Sequence, residues 1–94
     1  MEVINLIFIT LSKWKQAPSK EKMKRLDQAT KTFQELEKQG IKMRVYWTLG
    51  SYDGVTIIEA PTEKDAMKAI LLFQDVVATE TLVAVPREEA IKLL

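Results

Sequence analysis

Tyr52 and Asp53 stand side by side in the stretch YWTLGSYDGVTIIE, in a loop completed by Gly50, Ser51 and Gly54. A phenol next to a carboxylate can orient a polar ligand, with Asp53 binding an amine or taking a proton. Asp-Gly is equally turn chemistry, since Asp accepts bonds from nearby amides and Gly supplies φ > 0. A carboxylate that works as a base near neutral pH also needs surroundings that raise its pKa. Asn5 lies in an otherwise apolar run, and a buried amide needs partners. It is either a strand or interface hydrogen bond or a polar anchor inside a pocket. Trp14, between Lys13 and Lys15, is the aromatic least explained by folding. With Tyr46 and Trp47 it can wall a pocket, because ligand sites are mostly apolar with a few convergent polar groups. Trp47 also suits a plain core position. The expected ligand-binding set is therefore Tyr52, Asp53, Trp14, Asn5 and Tyr46, with no residue assigned to catalysis. Arg44 and Glu59 can pair across the hairpin that carries them.

Composition narrows the chemistry. The 94 residues include no cysteine and no histidine. That removes disulfides, thiolate nucleophiles and Cys-type zinc cages. It also removes the commonest general base and metal ligand. No metal site and no cofactor are expected, and catalysis would have to run on carboxylates, lysines, tyrosines or water. The apolar run at residues 3–11 follows Glu2, and basic residues come after it, which is not the order of a secretory signal. No stretch approaches the roughly 20 apolar residues of a membrane span. The expectation is a soluble, cytoplasmic protein with no membrane partner.

The elements that must position these residues follow in order. Residues 3–11 read as a strand by their β-branched and aromatic content, apolar on both faces. Residues 12–18 read as a loop ending in Pro18. Ser19 is a candidate N-cap with Glu21 in the first turn, where the helix dipole favours an acid. Met23, Leu26, Ala29 with Thr30, Phe33 and Leu36 then form one apolar stripe. Gly40 ends that helix. Residues 41–49 alternate, with Ile41, Met43, Val45, Trp47 and Leu49 on the core face. Lys42, Arg44, Tyr46 and Thr48 lie on the other, its charges guarding an edge strand. Residues 50–54 turn the chain into a strand at 55–60, stopped by Pro61. Thr62 to Asp65 resembles a capping box. The helix it opens carries Ala66, Ile70 and Phe73, flanked by Met67, Ala69 and Leu72, and breaks at Gln74-Asp75. A strand at 79–85 precedes Pro86, and residues 87–94 read as a short helix.

The short link between the second and third strands demands an antiparallel hairpin. Each long helix instead joins strands that run the same way, by a right-handed crossover. The result is a single α+β domain over residues 1–94: a ferredoxin-like βαββαβ sandwich, a four-stranded antiparallel sheet with two helices on one face. A chain of this size buries only about 60–68% of its unfolded surface and gains from a partner. The second apolar face of the first strand should be covered by another protomer, giving a homodimer or higher homo-oligomer through the exposed sheet face, a dimeric α+β barrel.

Several short motifs support that architecture by resemblance. They are Lys13-Trp14, Arg25-Leu26-Asp27, Gly50-Ser51-Tyr52-Asp53, Glu59-Ala60-Pro61 and Thr79-Glu80-Thr81-Leu82. In this order and spacing they resemble the GYD-domain family, small bacterial and archaeal proteins of the dimeric α+β barrel superfamily. The resemblance implies the fold and dimerisation. It departs after the second helix, where Phe73-Gln74-Asp75-Val76-Val77 replaces the frequent glycine-containing turn. Gly-x-Tyr-Asp with a late Thr-x-Thr also resembles the amino-acid-binding effector module of Lrp/AsnC-type regulators, here without the helix-turn-helix those regulators carry in front.

Three functions stay open on this reading. The first is a small-molecule-binding or assembly module. The second is a cofactor-free oxygenase or isomerase acting on a small aromatic substrate, as related barrels include. The third is a stand-alone amino-acid effector module. Residues 13–44 carry a net +6 and the remainder −5. Such asymmetry can mark a nucleic-acid surface. The acids within the basic helix dilute the patch, so nucleic-acid binding is not expected.

Overall fold

The computed structural model describes residues 5–94, with side chains throughout except at positions 22, 23 and 25–30. In chain order the elements are β1 (Leu6–Trp14), α1 (Lys20–Lys38), β2 (Lys42–Trp47), β3 (Gly54–Ala60), α2 (Glu63–Leu71), β4 (Val77–Ala84) and α3 (Arg87–Ile91). The strands make one antiparallel sheet in the order β2-β3-β1-β4. This is the ferredoxin-like α+β arrangement, with the two long helices as crossovers. No helix among the described residues is long and apolar enough to cross a membrane.

Alternation along the strands sorts residues between two faces. Phe8 of β1 lies opposite Ile58 of β3, and Leu6 opposite Ala60. Phe8, Ile58 and Ala60 are buried with Leu36 of α1, Ile41, and Ala66 and Ala69 of α2, in one core. Both long helices therefore cover the same side of the sheet. The other side carries Ile7, Ile9 and Leu11 of β1 between Val55 and Ile57 of β3 and Leu82 of β4.

Local chemistry accounts for the element ends. Thr62 caps α2: its Oγ1 accepts from the Asp65 amide at 3.2 Å and donates to the Asp65 carboxylate at 2.9 Å. Asp65 also meets Lys68 one turn on, at 3.8 Å. Gly40 adopts φ 87° after α1, a conformation that costs an L-residue its Cβ clearance. The stripe expected from Met23 through Thr30 lies outside the described side chains, but its continuation holds, with Leu36 buried and Phe33 half-buried.

Four expectations are corrected. The first strand runs to Trp14, so Ser12, Lys13 and Trp14 are strand and not loop; residues 3 and 4 lie outside the described residues, and Asn5 is exposed just before the strand. The core face of β2 ends early: Ile41 is buried, whereas Val45, Trp47 and Leu49 are 50%, 61% and 103% exposed. On α2, which closes at Leu71 rather than at Gln74, Met67 and Leu72 are exposed. A turn over residues 72–76 follows, in which the Val76 and Val77 amides both donate to the Phe73 carbonyl, and β4 starts at Val77. The last helix stops at Ile91, leaving Leu93 and Leu94 exposed.

Candidate functional site

A cleft of about 270 Å³ opens on the helix side of the sheet, at the end that carries Trp14, Trp47 and Gly54. Its floor is set by the pairing register. Thr10 of β1 is flanked by Thr56 of β3 and Thr81 of β4; Ser12 is flanked by Gly54 and Thr79. The strands thus present a row of three threonines and a row of Gly, Ser and Thr where the core row presents Ile58 and Phe8. Thr10 and Thr81 hydrogen-bond through their hydroxyls at 3.0 Å. Gly54 is confined: a Cβ there would meet the Tyr46 carbonyl oxygen at 3.3 Å and Ser12 Cβ at 3.9 Å.

The walls are aromatic. Phe33 of α1 and Phe73 after α2 lie 5.4 Å apart, centroid to centroid, and line the helix side among the described residues. Trp14 and Trp47, from strands two places apart in the sheet, meet edge to face at 5.4 Å at the mouth. Aromatic pairs favour this geometry because ring edge and ring face carry opposite partial charge.

Asp53 is the one ionisable side chain among the described residues that line the cleft. Its amide donates to the Ser12 carbonyl at 2.8 Å. Its Oδ2 accepts from the Trp14 amide, also at 2.8 Å. The carboxylate thereby stands in for the next main-chain carbonyl that β3 would supply, and it carries the pairing of β1 as far as Trp14. Within the loop, the Thr48 amide donates to the Asp53 carbonyl at 2.9 Å and the Thr48 hydroxyl to the Tyr52 carbonyl at 2.7 Å. On the other flank, Lys15 bonds the turn after α2 through its amide to Val76 and its ammonium to the Gln74 carbonyl.

The expected site residues divide between the two faces. Trp14 and Asp53 line the cleft. Tyr52 does not: its hydroxyl donates to Glu80 Oε2 at 3.2 Å, and the Lys13 ammonium sits 5.4 Å from its ring centroid. Lys13 and Glu80 belong to the sheet face away from the helices, so the adjacent Tyr52 and Asp53 serve opposite sides of the sheet. The hydrogen bond to Glu80, with that carboxylate's charge, raises the Tyr52 pKa above its ordinary value. Tyr46 is half-exposed on the same outer face, opposite Val55. Asn5 is exposed at the far end of β1. Lys42, not Arg44, stands opposite Glu59, and Arg44 faces Ile57.

Sequence reasoning left out the floor hydroxyls and the two phenylalanines. A usable signal was present: Thr10 with Ser12 and Thr79 with Thr81 stand two apart, as residues of one strand face do, and Thr56 interrupts an apolar strand. Their convergence depends on strand order. Among the described residues no three carboxylates come together as a metal site. A protein-family model, the GYD domain, matches residues 8–94. No curated protein matches the chain.

Proposed function

The chain belongs to the GYD-domain family, and we propose that it is a small-molecule-binding protein that works as a homodimer or larger homo-oligomer. The observation that carries the binding reading is the cleft. At about 270 Å³ it exceeds the ~150 Å³ that encloses a benzene ring and approaches the ~300 Å³ lower bound of ordinary ligand sites. It holds roughly ten to twelve non-hydrogen atoms by that scale. An apolar wall with a few hydroxyls and one carboxylate is the usual composition of such a site. Cofactor-free catalysis in this cleft would have Asp53 as its acid–base group among the described residues, with one oxygen already engaged by Trp14, so binding is the better-supported role. We take the protein to act in the cytoplasm, where a cysteine-free chain lacks nothing for its stability.

Two features support self-association. The outer sheet face carries a continuous apolar centre of Ile7, Ile9, Leu11, Val55, Ile57 and Leu82. The single chain also presents 7469 Å², against roughly 5,500 Å² for a monomer of its mass. That excess of roughly 2,000 Å² is more than the ~800 Å² each partner buries in a standard interface.

The binding test uses the protein's own reporters. Its two tryptophans both line the cleft. Titration with a panel of one- and two-ring aromatic compounds that do not absorb with tryptophan should give a saturable change in emission. Thr56→Phe, which fills the floor, should abolish it. Emission that stays flat across the panel would remove the binding reading.

A further inference from the structure

We propose that the cleft selects compact aromatic compounds bearing a hydrogen-bond donor at the ring edge (a phenol, an aromatic amine or a ring N–H), and that Asp53 Oδ1 reads that donor. The proposal rests on the binding reading above and gives it a ligand class.

The carboxylate of Asp53 is held before any ligand arrives. Oδ2 takes the Trp14 amide at 2.8 Å, and the Asp53 main chain is fixed to Ser12. A carboxylate has about four acceptor positions, and this bond uses one. Oδ1 carries no hydrogen bond from the described residues and belongs to a side chain that lines the cleft. A fixed acceptor with an unused oxygen, beside aromatic walls, favours a ligand that brings a donor. The floor hydroxyls of Ser12 and Thr79 both give and accept, so they do not bias the choice. Asp53 does, and it works against anions: a ligand carboxylate would face it across a space with no cationic side chain among the described lining residues. The T-shaped Trp14–Trp47 pair sets a ring face and a ring edge at the mouth, against which a flat ligand stacks.

Three probes separate the alternatives: indole, which has a ring N–H; benzofuran, its isostere with an acceptor oxygen; and indole-3-carboxylate, which keeps the ring N–H and adds an anionic group. Their binding is read from amide and indole resonances of nitrogen-15-labelled protein. The Trp14 amide reports directly, since it is the donor to Asp53. Indole should shift the Trp14 amide and both tryptophan side-chain resonances, and bind about tenfold tighter than benzofuran, with the carboxylate weakest. A half-open cleft places the ratio at the low end of what an unpaired polar group imposes. In Asp53→Asn the amide oxygen can keep the Trp14 bond while the amide nitrogen turns a donor to the cleft. Preference should then reverse towards benzofuran and the carboxylate. Benzofuran binding the native protein as tightly as indole overturns the donor rule and leaves the binding reading standing. That comparison holds whether or not Asp53→Asn folds. No shift from any probe overturns the proposal together with the reading it rests on.

Discussion

Asp53 uses its main chain as a strand residue and its side chain as a substitute for the residue that β3 lacks. Removing the carboxylate leaves the Trp14 amide without its acceptor in a partly buried place. Asp53→Ala should cost about 1–3 kcal/mol, the usual cost of losing a charged acceptor, read from urea unfolding. Asp53→Asn keeps an acceptor and should cost about half that. An Ala variant as stable as the native protein would mean that water replaces the carboxylate without penalty. Tyr52 makes a separate prediction on the outer face. Its phenol donates to Glu80, which favours the protonated ring and raises its pKa. A raised pKa means that the hydrogen bond's contribution is fully present below the unfolded-state value and disappears as pH rises through the folded one. Glu80→Gln should therefore move the Tyr52 phenol titration, followed by NMR of ring-labelled protein, to lower pH. An unchanged titration would mean that Glu80 and Tyr52 do not pair in solution.

Elements were legible where local chemistry decides them. Thr62 and Asp65 cap α2 as their spacing implied, and Gly40 takes the left-handed conformation that ends α1's exit. Thr62→Ala should cost about 1 kcal/mol through the lost cap. Gly40→Ala should cost about 1 kcal/mol through backbone strain, because the space around its Cβ is otherwise open to an ordinary contact. Thermal unfolding checks both, and two unchanged midpoints would show that neither end is held locally. The ends that escaped the sequence are fixed by partners far along the chain. Ser12-Lys13-Trp14 looks like loop because it is polar, yet it pairs with residues 77–79 on one side and is pinned by Asp53 on the other. Trp47 and Leu49 keep the alternation of a core strand, but both are exposed. The cleft opens beside the same exposed strand end, so the site and that end were hidden together. Only strand order, which no local pattern encodes, gathers Thr10, Ser12, Thr56 and Thr79 onto one floor.

At the scale of the molecule, the sheet separates two activities that the proposed function joins. The cleft lies on the helix side, and the apolar centre of the outer face lies on the other. Ile9 is the middle of that face, between Ile57 and Leu82, and is only half-buried in the single chain. In a two-fold dimer one substitution enters the interface twice. Replacing a buried Ile by a charged residue forfeits at least about 2 kcal/mol of apolar burial per protomer, so about 4 kcal/mol per dimer. Ile9→Asp should raise the dimer dissociation constant by roughly a thousandfold. Sedimentation at micromolar concentration should accordingly find a native dimer and a monomeric variant, with the same helix and strand content by circular dichroism. Because Ile9 points away from the cleft, the monomeric variant should still bind the aromatic probes with nearly native affinity. A native monomer, or an Ile9→Asp protein that stays dimeric, would move the interface elsewhere. Probe binding lost together with dimerisation, in a variant that remains folded, would mean instead that the second protomer completes the cleft.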